Sequence, residues 1–276
     1  MFIATVLANP ATRNLEGSLL DSLRNAWGGG DVVWLDPDAA AEFVLPTLPA
    51  NRWQVWEDLQ GMGLDLVVQG ATGRRKRMLL ADMAGVGAHV AGITARAMNG
   101  ELDFEAALLE RVALLRGLDA GVIAQVLRER ITFMPGGAEL VATMKANGGH
   151  AALVSGGFTA FTEKVAAVLG FDEHRANTLL IEGNRLAGDV ARPILGRQAK
   201  IEALEQISAR LGIAEADVIA VGDGANDLGM LGRAGTGVAL HAKPSVAAQC
   251  DVRINHGDLT ALLFIQGYSR ADFAAA

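Results

Sequence analysis

The stretch that most narrows the fold is the apolar run 218–222, Val-Ile-Ala-Val-Gly, followed at once by Asp223-Gly224-Ala225-Asn226-Asp227. A short, unbroken, β-branched run closed by glycine reads as a strand buried on both faces, the pattern of a parallel sheet. Three polar acceptors within the five residues that follow would be wasteful in a plain turn. Ligands collect at the carboxyl ends of strands in open parallel sheets, so the run is a candidate site.

The same grammar recurs through the rest of the chain. Strands are expected at residues 77–83, 150–155, 217–222, 237–240 and 251–254, and helices at 137–147, 160–169, 197–211, 227–233 and 259–268. This alternation argues for an α/β protein with a Rossmann-like parallel sheet and crossover helices. A polar hairpin, 178–182 with 185–189, turns at Gly183-Asn184. Between the first two of these strands lie expected helices at 86–98, 104–115 and 120–130. They are too long for a loop and too helical to add strands. This helical cap, about 85–131, can cover the strand ends.

The first 70 residues differ in composition. They hold all four tryptophans (27, 34, 53 and 56) and nine acidic against three basic residues, which is −6 of the total charge of −7. Strands are expected at 2–8, 32–35 and 64–69 and helices at 18–27 and 52–61, while 39–44 is too short to assign. This α+β segment has no carboxylate pair, histidine cluster or phosphate-type glycine loop. Dimerisation or regulation is therefore expected of it. The division falls at 1–72 and 73–276, just ahead of the basic run Arg74-Arg75-Lys76-Arg77. That run is an anion site or, more simply, a charged lead-in to the next strand, and the simpler reading is expected.

Composition excludes several classes. A net charge of −7 disfavours a general nucleic-acid binder. The absence of a run of ~18 apolar residues argues against a membrane span. One cysteine, Cys250, precludes an internal disulfide and fits a cytoplasmic protein, as does a start without a basic leader. His150, His174, His241 and His256 lack ligand spacing, so zinc is not expected.

The strand ends read Asp82, then Ser155-Gly156-Gly157, then Asp223 to Asp227, with Lys200 opening a helix between the last two. Alone, each has a plain explanation: a helix cap for Asp82, a turn for Ser155, a solvated face for Lys200. Together, carboxylates, a lysine, a serine and glycine turns suit a phosphate held with Mg²⁺. That metal prefers oxygen ligands, lysine offers a point charge, and glycines let backbone N–H groups approach.

The words LLADM, MNGELDFEAALLERVALLRGL, MPGG, LVSGGFT, GRQAK and VGDGANDLGML carry a resemblance over nearly the whole chain. The sequence resembles the haloacid dehalogenase-like phosphatases, and within them the phosphoserine phosphatases that carry an amino-terminal ACT-like module. The resemblance implies a two-step hydrolysis of O-phospho-L-serine through an aspartyl-phosphate. Asp82 would be nucleophile and metal ligand, Asp223 would bind Mg²⁺ and Asp227 would support the metal. Ser155 and Lys200 would hold the phosphoryl group, with Gly156 donating from its backbone and Asn226 contacting phosphate. Arg111 would pair with the substrate carboxylate, and Met98 and Phe104 would line the pocket. The amino-terminal module would form a homodimer or sense a small ligand such as serine.

One departure is serious. The family's first motif runs Asp-x-Asp-Ser-Thr, whereas this chain reads Asp82-Met83-Ala84-Gly85-Val86. About sixteen expected residues are absent there. With them go the second aspartate, which protonates the leaving oxygen and then activates water, and a substrate-binding glutamate. Losing such an acid/base costs about 10²–10⁴ in rate. The alternative is therefore an impaired homologue acting as a ligand-binding or regulatory protein. Asp-Met-Ala-Gly also resembles the Asp-x-Ala-Gly of phosphonoacetaldehyde hydrolases, but the cap lysine they need has no counterpart between Lys76 and Lys145.

Overall fold

The computed structural model describes residues 1–83 and 104–275; the expected cap helix 86–98, with His89 and Met98, lies outside them. The amino-terminal segment runs β1 (Phe2–Ala8), α1 (Gly17–Trp27), β2 (Val33–Asp36), β3 (Ala40–Leu45), α2 (Arg52–Gln60) and β4 (Leu64–Gly70). Its four strands form an antiparallel sheet in the order β2-β3-β1-β4, a βαββαβ arrangement. Alternation along the strands divides the apolar side chains between two layers. Ala4, Val6, Phe43, Leu64 and Leu66 pack with Leu20 of α1 and Leu59 of α2. Leu7, Ala40 and Val67 instead join the core of the remaining chain, beside Leu262 and Ile265. The segment expected to be a separate accessory unit is thus packed on both faces.

The second sheet has six strands, all parallel, in the order β12-β11-β10-β5-β6-β7. They are β5 (Met78–Ala81), β6 (His150–Phe158), β7 (Glu173–Asn177), β10 (Val218–Gly222), β11 (Thr236–Leu240) and β12 (Val252–Ile254). The chain winds from β5 to β6 and β7 on one side, then to β10, β11 and β12 on the other. The reversal falls between β5 and β10, where such sheets open a crevice. Crossovers are α5 (Gly137–Ala146), α6 (Thr159–Leu169), α7 (Arg197–Leu211), α8 (Leu228–Arg233) and the short α9 (Pro244–Ala247), and α10 (Ala261–Phe264) follows the last strand. The described cap contributes α3 (Phe104–Ala113) and α4 (Gly121–Glu129), and the hairpin is β8 (Leu179–Glu182) with β9 (Arg185–Val190).

Three readings change. The stretch 39–44, unassigned from sequence, overlaps all but the last residue of β3, an inner strand whose alanines are fully buried. Residues 173–177 form β7, although Glu-His-Arg-Ala-Asn has no apolar alternation. The helix expected at 259–268 keeps only one regular turn, α10, within a series of backbone-bonded turns.

The basic run is absorbed structurally. Arg74 forms a bidentate pair with Glu42 at 2.6 and 3.0 Å, Arg75 lies 4.2 Å above the Tyr268 ring, and Lys76 Nζ donates to Ala216 O at 2.8 Å. Burial draws the Lys76 pKa below the ordinary lysine value. A stronger fastening is Asp65 on β4, which is fully buried. Its Oδ1 accepts the N–H of Asn255 at 2.8 Å, and its Oδ2 accepts those of His256 at 2.9 Å and Gly257 at 2.8 Å. Alongside, Arg253 stacks over Trp53 and Trp56, its guanidinium 4.0 and 5.4 Å from the two rings.

Candidate active site

All four residues of β5 are buried, so the first polar side chain after it, Asp82, stands at the carboxyl edge of a dry sheet. Asp82 is 4% exposed, and its N–H continues the ladder by donating to Val221 O at 3.0 Å. Lys200, in the first turn of α7, is 1% exposed. Its Nζ donates to Asp82 Oδ1 at 2.5 Å and also to Asp227 Oδ1. Asp227 Oδ2 in turn accepts the backbone N–H groups of Asp223 at 3.1 Å and Gly224 at 3.0 Å, closing the loop after β10. Gly222 makes room for this: a β-carbon there would lie 2.5 Å from Asp227 Cγ.

The charges are strongly coupled. Burial disfavours the Lys200 ammonium, but the charges of Asp227 and Asp82, and its hydrogen bonds to both, hold its pKa above the ordinary lysine value. Burial pushes the Asp227 carboxyl up to about 6, with Lys200 pulling it down and the Asp82 charge adding to the rise. A buried carboxylate–lysine–carboxylate arrangement is weak evidence for stability, because desolvation of the ions offsets their attraction. Its presence at a sheet's ligand-binding edge fits chemistry better than architecture.

One strand over, β6 irregularly passes β7 between Val154 and Phe158, so the Ser155-Gly156-Gly157 stretch bulges out of the ladder. Ser155 Oγ accepts the Gly157 N–H at 3.0 Å. The bulge is held from behind by Asn177, which sequence reading missed. Its Nδ2 donates to Gly156 O at 3.0 Å and Leu195 O at 3.1 Å, while its Oδ1 accepts the Leu195 N–H at 2.7 Å. Asn177 thereby ties the bulge to the loop that enters α7 and Lys200. Phe104 closes over the same place: a β-carbon on Gly156 would lie 2.9 Å from its Cζ, and one on Gly196 3.1 Å from its Cδ1. Met83 is buried, its Cε 3.2 Å from a β-carbon placed on Gly157.

The structure thus gathers Asp82, Lys200, Asp223 and Asp227, with Ser155 and Gly156 on the adjoining strand end and Phe104 of α3 packed against Gly156. Asn226 lies in the loop between the aspartates, and its buried Oδ1 has no hydrogen-bond partner. Arg111, half-buried on α3, shares a helix face with Phe104 two turns earlier, but among the described residues it makes no ion pair with the carboxylates. Met98 falls outside the description. Cys250 is buried away from this edge, and burial raises its thiol pKa.

Oxygens from Asp82, Asp223 and Asp227 all lie within 4.8 Å of one another. Such a set of carboxylate oxygens suits a hard divalent cation, which prefers oxygen ligands. The residues present therefore fit Mg²⁺, and the unsatisfied Asn226 oxygen adds a further acceptor at the same loop.

Residues 60–232 match the haloacid dehalogenase-like hydrolase family. The chain is 34% identical over 297 positions to a phosphoserine phosphatase of Streptomyces coelicolor, covering 99% of this chain and 72% of that one. It is 47% identical over 189 positions to a phosphoserine phosphatase of Albidiferax ferrireducens, covering 67% of this chain and 80% of the relative. The unliganded structure of a probable phosphoserine phosphatase from Vibrio cholerae superposes with a TM-score of 0.77 at 28% identity, over 98% of this chain and 87% of that one. The Streptomyces comparison runs over 297 positions against 276 residues here, so at least 21 positions hold no residue of this chain. In family, fold and the matched span alike, the chain belongs to the haloacid dehalogenase-like hydrolases.

Proposed function

We propose that the chain is a Mg²⁺-dependent phosphoserine phosphatase that hydrolyses O-phospho-L-serine to L-serine and phosphate, the closing step of serine formation. The observation that carries this reading is Lys200 Nζ bridging Asp82 and Asp227 in a buried cluster beside Asp223. In this reading Asp82 attacks phosphorus, forming an aspartyl-phosphate that water then hydrolyses. Lys200 orients the Asp82 carboxylate and offers positive charge to the phosphoryl oxygens. Ser155 Oγ and the Gly156 N–H donate to the same group, and Asn226 contacts it from the opposite loop. Asp82, Asp223 and Asp227 hold Mg²⁺, which when bound neutralises charge on the transferring phosphoryl group. Arg111 pairs with the substrate carboxylate, and Phe104 and Met98 line the pocket. Residues 1–72 act as an ACT-like dimerisation or ligand-sensing module on the 73–276 catalytic part, in a cytoplasmic homodimer.

A second reading has its own observation. Met83-Ala84-Gly85 occupies the place where a second acid is expected, and the chain is shorter than its Streptomyces relative inside the compared span. Under that reading the protein binds phosphoserine or serine without turning it over. Phosphate release from O-phospho-L-serine with Mg²⁺, beside Asp82→Asn and Asp223→Asn, separates the two. Release well above both variants is expected. Its absence, in protein whose intact mass matches 28.8 kDa, would overturn the enzyme reading. Binding without release would support the regulator.

A further inference from the structure

We propose that Asn177 is a positioning residue for phosphoryl binding: it sets the peptide plane between Gly156 and Gly157, and that plane leaves the Ser155 proton free for a phosphoryl oxygen. This rests on Ser155 as a group that holds the phosphoryl oxygens, and names the residue that prepares it.

Asn177 ends β7 and is 1% exposed. Its amide meets backbone groups: Nδ2 donates to Gly156 O at 3.0 Å and to Leu195 O at 3.1 Å, and Oδ1 accepts the Leu195 N–H at 2.7 Å. Both amide protons are therefore engaged. The Gly156 carbonyl and the Gly157 N–H belong to one planar unit, which is trans, so they point in opposite directions. With the carbonyl drawn to Asn177, the N–H faces Ser155 Oγ and donates to it at 3.0 Å. A hydroxyl carries one proton and two lone pairs. Ser155 Oγ thus accepts from Gly157, and among the described residues its proton has no acceptor. On the strand beside that of Asp82, this proton is available to an anionic oxygen.

Two glycines make the plane easy to turn over, because neither has a β-carbon to oppose rotation. Turned over, the Gly156 carbonyl would face Ser155, take the hydroxyl proton and set its own oxygen against an incoming phosphate. The Gly157 N–H would then point at Asn177 Nδ2, donor against donor. Leu195 keeps Asn177 from adapting: its N–H requires Oδ1 and its carbonyl requires Nδ2, so the amide cannot reverse to accept from Gly157. Asn177 therefore fixes which way the plane faces, and through it what Ser155 has left to donate.

The test is a double-mutant cycle on the full chain, read by calorimetric titration of inorganic phosphate in the presence of Mg²⁺. Ser155→Ala should weaken phosphate binding about 10–100-fold, as expected for a hydrogen bond to a charged group. Asn177→Ala should weaken it by a comparable factor and leave Mg²⁺ affinity within about twofold of native, because the bonds of Asn177 go to Gly156 and Leu195 and not to the aspartate cluster. In the Ser155→Ala background, Asn177→Ala should add no more than about threefold. Losses that multiply in the double variant, or Mg²⁺ affinity that falls with phosphate affinity, would overturn the inference and leave Ser155 as a phosphoryl ligand. Unchanged phosphate affinity in Ser155→Ala would overturn that reading of Ser155, and the inference with it. Hydrogen exchange of the Gly157 amide gives a readout that needs no Asn177 variant to fold. It should be slower in the native chain than in Ser155→Ala, and equal rates would overturn the inference.

Discussion

Replacing Asp65 with asparagine asks whether the amino-terminal sheet is fastened to the rest of the chain by one carboxylate. Asp65 is fully buried and accepts three successive backbone N–H groups, from Asn255, His256 and Gly257, at 2.8 to 2.9 Å. Hydrogen bonds to a charged acceptor contribute about 1.5–3 kcal/mol each, and an orphaned buried N–H costs about 1–3 kcal/mol. Asparagine keeps one acceptor oxygen but turns an NH₂ group toward the remaining donors. At least one bond is lost and one donor stranded, so a net loss of about 2–4 kcal/mol follows. For a chain of this size that corresponds to a fall in Tm of roughly 4–16 °C. All four tryptophans lie in the first 56 residues, so their fluorescence reports that sheet and its seam with the rest of the chain, where Arg253 stacks over Trp53 and Trp56, while far-ultraviolet dichroism reports the whole chain. In the native protein the two probes should melt together. In Asp65→Asn the tryptophan transition should come first. A Tm within about 1 °C of native, with the probes still coincident, would refute the reasoning.

Two further perturbations reach other parts of the account. Gly222→Ala places a β-carbon 2.5 Å from Asp227 Cγ, so it should cost about 1–3 kcal/mol in thermal stability and weaken Mg²⁺ binding in a calorimetric titration; unchanged affinity would count against Asp227 supporting the metal. At the amino end of β6, burial would raise the Asp172 carboxyl pKa, but hydrogen bonds from Lys145 and the Ala151 N–H, with the Lys145 and His150 charges, hold it below 3.8. A lowered carboxyl stabilises the fold above its ordinary value and loses that contribution as pH falls through the folded value. Urea midpoints of native protein and Asp172→Asn should therefore differ at pH ~7 and converge below pH ~4; a constant gap would contradict the sign.

The parts of this fold that could be read from sequence are those written in consecutive residues. The run 218–227 declares a buried strand and its polar end, and the helix of Lys200 has the bounds expected of it, 197–211. β3 escaped because Ala-Ala-Glu-Phe-Val-Leu has little strand propensity of its own; pairing with β1, more than thirty residues earlier, makes it a strand. β7 escaped because a polar edge strand has no apolar period, and its place is set by β6 beside it. Asn177 and Asp65 escaped for a shared reason: each acts through backbone groups distant in sequence, and a lone Asn or Asp carries no local sign of that. The candidate site was legible as four segments, whereas the geometry that couples them, Lys200 between two carboxylates, belongs to the packed sheet.

The central claim is that Asp82 is the group that receives phosphorus. The direct measurement mixes the native chain with Mg²⁺ and acetyl phosphate, quenches in acid and maps the phosphorylated peptide by mass. The account predicts one phosphoryl group on Asp82, removed by hydroxylamine and absent from Asp82→Asn. Turnover with no phosphoryl group trapped on the chain, or a group trapped elsewhere that survives Asp82→Asn, would contradict it.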